Sequence, residues 1–92
     1  MSQKLTKTLS IINEKGLHAR ASAKFVETVE KFDACANVRK DGLDACGDSI
    51  MGLLMLAASR GTTIDVETKG PQAQELAEAL EQLINKRFGE AC

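Results

Sequence analysis

The chain has no tryptophan and no tyrosine, and its aromatic residues are three phenylalanines. A core built from it must rest mainly on alanine, leucine, isoleucine and valine. A surplus of either charge is also missing: 12 basic residues face 13 acidic ones, for a net charge of −1. Without a basic surface, general nucleic-acid binding is not expected. No apolar run is long enough to span a bilayer, so membrane insertion is not expected either. The opening "MSQKLTKTLS" is polar and lacks the apolar stretch of a signal peptide, which points to a cytoplasmic location. The three cysteines, Cys35, Cys46 and Cys92, cannot all pair within one chain and contain no C-x-x-C. They read as free thiols in a reducing compartment. Together with His18 they are too scattered for a zinc site, and neither a metal nor a cofactor is expected.

At 92 residues with 43% hydrophobic content, the chain suits one small domain spanning 1–92. The pattern along it alternates between two periods. Leu5, Leu9 and Ile11 fall on one side of a strand, with Lys7 as a polar interruption. From Ala19 onward, Ala21, Phe25, Val29 and Phe32 form a helical stripe with Val26 beside it, and Lys24, Glu27, Glu30 and Lys31 take the other face. Ala34, Ala36 and Val38 alternate again. Asp41-Gly42 is a strong hairpin signal, and "LDACG" makes the returning strand. Asp48 and Ser49 are both good N-cap residues for the apolar "IMGLLMLAAS", which is expected to end at Gly61 as the C′ residue. Ile64 and Val66 point inward from a fourth strand, and "KGP" reads as a turn. Ala73, Leu76, Ala77, Leu80, Leu83 and Ile84 mark a last helix closing near Gly89. The order is β-α-β-β-α-β-α. Three helices and four half-buried strands pack most simply as an α+β open-faced sandwich, a four-stranded antiparallel sheet with all helices on one face.

The only histidine, His18, stands where a Gly-containing loop meets the first turn of a helix. The first backbone N–H groups of a helix have no helical partner, and with the dipole they favour an anion. The same positive end disfavours imidazolium. A neutral imidazole has a free lone pair and can act as a nucleophile. A phosphoryl group on that ring would lie over the exposed amides, and Arg20 could fold its planar fork onto the phosphate oxygens. Gly16 lets the backbone turn closely. By position alone, however, a single histidine near a helix start is most often a surface residue or a weak cap. No Asp or Glu lies at an obvious spacing to orient the ring.

On the second helix, Ile50, Met51 and Leu54 share one face, while Leu53 and Leu56 lie nearer the opposite one. A short helix cannot bury every side, so one apolar patch should stay exposed, and Met and Ile make adaptable docking surfaces. Gly52 either admits a close backbone approach or is merely tolerated at a cost of about 1 kcal/mol. Ser49 is at the least a cap.

"GLHARASAKF" and "DSIMGLLMLAASRGT", in this element order and at this separation, closely resemble HPr, the histidine-containing phosphocarrier of the bacterial phosphotransferase system. The resemblance runs from Leu5 to Phe88. It implies that enzyme I passes a phosphoryl group from phosphoenolpyruvate to His18, that Arg20 contacts the phosphohistidine, and that an EIIA-type protein accepts it. It makes Ser49 the counterpart of the serine modified by HPr kinase/phosphorylase, and Ile50, Met51 and Leu54 the docking patch. Such a chain is a phosphoryl-transfer intermediate and a monomer, not a stand-alone enzyme. Where the family often has proline after the arginine, this chain has Ala21, which hints at a nitrogen-related branch and a mainly regulatory interaction module as the alternative. A ferredoxin-like ligand-binding domain is disfavoured by the extra C-terminal helix.

Overall fold

The computed structural model describes residues 3–90, so Cys92 lies outside the described residues. Strand β1 (Gln3–Ser10) leads to helix α1 (Ala19–Glu30), then strands β2 (Cys35–Lys40) and β3 (Leu43–Cys46), and helix α2 (Ile50–Met55). Strand β4 (Thr63–Gly70), helix α3 (Ala73–Asn85) and a 3₁₀ turn at Arg87–Gly89 follow within the described residues. The strands form one sheet in the order β1-β4-β2-β3, with every neighbouring pair antiparallel. This is the expected open-faced α+β sandwich. Among the described residues no helix is long and apolar enough to cross a membrane.

Alternation decides which side of the sheet is covered. Ile64, Val66 and Thr68 of β4 and Val38 of β2 are buried against the helices. Across from β4, Leu9 pairs with Ile64 and Lys7 with Val66. Lys7 therefore points to the helical side, and its ammonium meets Glu81 of α3 at 2.9 Å. The polar interruption in β1 is thus an ion pair at the rim of the core. At the hairpin, Asp41 (φ 52°) and Gly42 (φ 81°) both take the left-handed conformation that a type I′ turn needs.

Helix α1 buries Ala21, Phe25, Val26 and Val29 as its spacing predicts, together with Ser22, whose hydroxyl donates to the Leu17 carbonyl at 3.3 Å. Phe32 lies just beyond the helix and is only partly buried. Helix α3 buries Ala73, Leu76, Ala77, Leu80 and Ile84.

The second helix departs from the expectation that it runs to Gly61. It stops at Met55, with Leu56 as the C-cap and Ala57, not a glycine, in the left-handed region at φ 52°. The reason is tertiary. The chain must turn there to bury Leu56 and Ala58 and to bring the Ala58 carbonyl onto the Leu17 N–H at 2.8 Å. Gly61 instead belongs to the following turn, where its N–H donates to the Ile11 carbonyl at 2.9 Å. "KGP" is corrected in part: β4 runs through Gly70, and the turn begins at Pro71.

Candidate functional site

The loop before α1 is closed by Asn13 and Gly16. The Asn13 side-chain amide donates to the Gly16 carbonyl at 2.7 Å, and the Gly16 N–H donates to the Asn13 carbonyl at 3.1 Å. Gly16 has φ 65°, and a Cβ there would lie 2.4 Å from the Ala58 carbonyl oxygen. No larger residue fits where this loop meets the end of α2. The adjoining Leu17 is buried and fixes the entry to the helix.

His18 follows as the N-cap of α1, with extended backbone angles. Its Nδ1 accepts the Arg20 backbone N–H at 3.3 Å. The cap reading and the reactive reading therefore concern the same atom. Nδ1 carries its lone pair at the open N-terminus of a 12-residue helix whose first turn holds no acidic residue. The other ring nitrogen, Nε2, makes a close hydrogen bond with Glu90 Oε2. This pattern assigns the ring proton to Nε2 and directs the Nδ1 lone pair at the start of α1.

Glu90 is the residue that sequence spacing misses. It reaches the site from the far end of the chain. Arg87, Phe88 and Gly89 are left-handed in succession, at φ 53°, 54° and 77°. That reversal inserts Phe88 into the core and sends the chain back over α1. Lys24 donates to the Phe88 carbonyl at 2.6 Å, so this residue from the polar face of α1 anchors the tail. The second carboxylate oxygen of Glu90 accepts the Asn13 amide at 3.1 Å. Burial pushes the Glu90 carboxyl up, but the His18 and Asn13 hydrogen bonds and the His18 and Lys15 charges outweigh it, and the carboxyl sits below its ordinary value.

Arg20 lies on the exposed first turn of α1, and its guanidinium has no ion-pair partner among the described residues. Beside His18, an open depression of about 300 Å³ is lined by Lys15, Leu17, Leu54, Ala57 and Ser59. Leu54 therefore links the histidine to α2. On that helix Ile50 and Met51 are 40% and 69% exposed, whereas Leu53 and Leu56 are buried. Met55, which the spacing argument leaves out, is exposed at 75% and widens the apolar surface. Ser49 caps the helix by accepting the Gly52 N–H at 3.0 Å. A Cβ on Gly52 would lie 3.2 Å from both Ala45 Cβ and Ser49 Oγ, so this glycine serves a close approach to β3. His18 and Leu54 thus meet at the depression, while Ser49 stands at the start of α2.

A family model described as the phosphotransferase-system HPr component phosphorylation site matches residues 5–86. The chain is 49% identical over 86 residues to the phosphocarrier protein HPr of Neisseria meningitidis, covering 94% of this chain and 97% of that protein. It is 40% identical over 84 residues to the phosphocarrier protein NPr of Escherichia coli, covering 90% and 93%. Among solved structures, HPr from Thermoanaerobacter tengcongensis superposes with a TM-score of 0.91 at 38% identity, over 96% of this chain and 99% of that one.

Proposed function

Because this chain belongs to the HPr phosphocarrier family of the phosphotransferase system, we propose that His18 Nδ1 accepts a phosphoryl group from enzyme I and delivers it to an EIIA-type protein in the cytoplasm. The observation that carries this reading is the orientation of the ring. Nδ1 faces the amides at the start of α1 while Nε2 is held by Glu90.

The chemistry follows from that orientation. The Nδ1 lone pair attacks phosphorus as the donor's bond to phosphorus breaks, and the donor atom keeps the electron pair. The ring becomes positively charged with its proton still on Nε2, and the Glu90 carboxylate faces that proton. The Arg20 N–H, released by Nδ1, turns to a phosphoryl oxygen, and the Arg20 guanidinium adds charge-assisted bonds. Transfer to the acceptor reverses these steps. Ile50, Met51 and Leu54 form the docking surface for both partners. Ser49, next to that surface, is the position an HPr kinase/phosphorylase would modify. The nitrogen-branch alternative rests on the NPr likeness, at 40% identity against 49% for the HPr relative, and has the weaker support.

The test is incubation with enzyme I and phosphoenolpyruvate. The protein should gain one acid-labile, base-stable phosphate, and ring NMR should place it on Nδ1. His18→Ala should fold and take up none, since no other residue in the chain has an imidazole. Acid-labile label on His18→Ala would remove His18 from the mechanism.

A further inference from the structure

On the open face of the sheet, away from His18, two cysteines lie on the same side of neighbouring strands. Asn37 of β2 pairs directly with Cys46 of β3 and with Glu67 of β4, and Cys35 pairs with Lys69 of β4. The ladder continues past Cys46, because the Gly47 N–H donates to the Ala36 carbonyl at 2.8 Å. Cys35 and Cys46 are therefore diagonal neighbours on one face, and both are exposed free thiols. The same diagonal of the same two strands is bridged one step along, where the Asn37 amide donates to Asp44 at 3.3 Å. Side chains at this diagonal spacing can thus reach across the gap between the two strands. Cys35, Asn37, Cys46, Glu67 and Lys69 line one shallow depression of about 250 Å³.

We propose that Cys35 and Cys46 form a two-thiolate site for a soft monovalent cation, Cu(I) being the natural occupant. Diagonal residues lie about 7–8 Å apart, at or beyond the roughly 7 Å limit for a direct disulfide. Two metal–sulfur bonds of about 2.3 Å each, set in line, span the gap that a single S–S bond does not. Among the described residues no three His, Cys, Asp or Glu side chains converge. That argues against zinc, which takes four ligands, and for an ion content with two thiolates. Binding forms two metal–sulfur bonds and displaces both thiol protons to solvent, with no change of oxidation state. The resulting complex carries one negative charge; Lys69, across from Cys35, offsets it, and the Glu67 carboxylate in the same depression is paired with Lys4 at 3.7 Å. This site is independent of phosphoryl transfer and departs from the expectation that the chain holds no metal.

The experiment is anaerobic titration of the reduced full-length protein with Cu(I) against bicinchoninate, a coloured competing chelator. One ion per monomer is expected. Cys35→Ser and Cys46→Ser should each weaken binding by about 10²–10⁴-fold, because each turns a two-point site into a one-point site. Cys92→Ser should leave it unchanged. Equal affinity in wild type, Cys35→Ser and Cys46→Ser would mean an adventitious ion only and would overturn the site. Loss of binding in Cys92→Ser, or an ion shared between two chains on size-exclusion, would overturn it as well.

Discussion

The Glu90 carboxylate closes on the Nε2 edge of His18 across 72 residues of chain. It also takes the Asn13 amide that braces the loop before α1. One carboxylate therefore sets both the tautomer of the histidine and the seat of the C-terminal segment. Replacing Glu90 with Ala should leave the core intact and slow phosphoryl transfer from enzyme I by about threefold to tenfold, the value of one charge-assisted hydrogen bond that is partly solvated. Single-turnover rates with wild type and Glu90→Ala, read beside the chemical shifts of the His18 ring, check this. Unchanged ring shifts would show that the contact does not orient the imidazole.

The same contact predicts a pH dependence. The Glu90 carboxyl is lowered in the folded protein. Its contribution to stability is present above the unfolded glutamate value and is lost as pH falls through the lower folded value. The stability gap between wild type and Glu90→Gln should therefore be present above the ordinary glutamate range and should close as pH falls below it. Thermal melts of both proteins across that range measure it. A gap that persists undiminished well below the ordinary glutamate range would contradict the assignment.

Arg20 is exposed and its guanidinium is free of ion pairs among the described residues. Arg20→Ala should melt like wild type and lose about tenfold to hundredfold in transfer in both directions, matching roughly 1.5–3 kcal/mol for a charge-assisted bond to phosphate. Rates with enzyme I and with the acceptor, measured separately, decide whether the arginine serves the phosphoryl group or only one partner.

Met51 is 69% exposed, which settles that its side chain is not core. Met51→Glu should change stability by no more than about 0.5 kcal/mol. It should raise the KM for enzyme I, because a charge in an apolar contact loses its hydration. An unchanged KM for enzyme I would remove Met51 from the docking surface.

Ser49 caps α2 through the Gly52 N–H. Ser49→Ala should cost about 1 kcal/mol of stability and leave transfer normal. Phosphorylation, or Ser49→Asp as a weaker mimic, should raise the KM for enzyme I by about tenfold or more, through a charge that must be desolvated beside Ile50 and Met51. A fall in kcat at constant KM would instead mark direct repulsion between the two phosphates.

Sequence alone determined the elements and their order. Their hydrophobic periods differ, at about two and 3.6 residues, and Asp41-Gly42 names its own turn. It also placed His18 on a helix N-terminus and split α2 into an exposed face and a buried one, because both are local consequences of spacing. The end of α2 could not be read that way. Gly61 has the chemistry of a helix stop, yet the chain leaves the helix at Leu56 and spends a left-handed conformation on Ala57. The gain lies in burying Leu56 and Ala58 and in the hydrogen bond to Leu17, all long-range contacts. Lys7 looked like a flaw in a strand until Glu81 arrived from α3. Glu90 is the clearest case. Its position follows from Phe88 finding a place in the core and from three left-handed residues turning the chain back. No local pattern encodes a contact between residues 72 apart. The sequence therefore singled out which side chain could react, and only tertiary packing decided which carboxylate holds the ring and which of its nitrogens is left facing the helix.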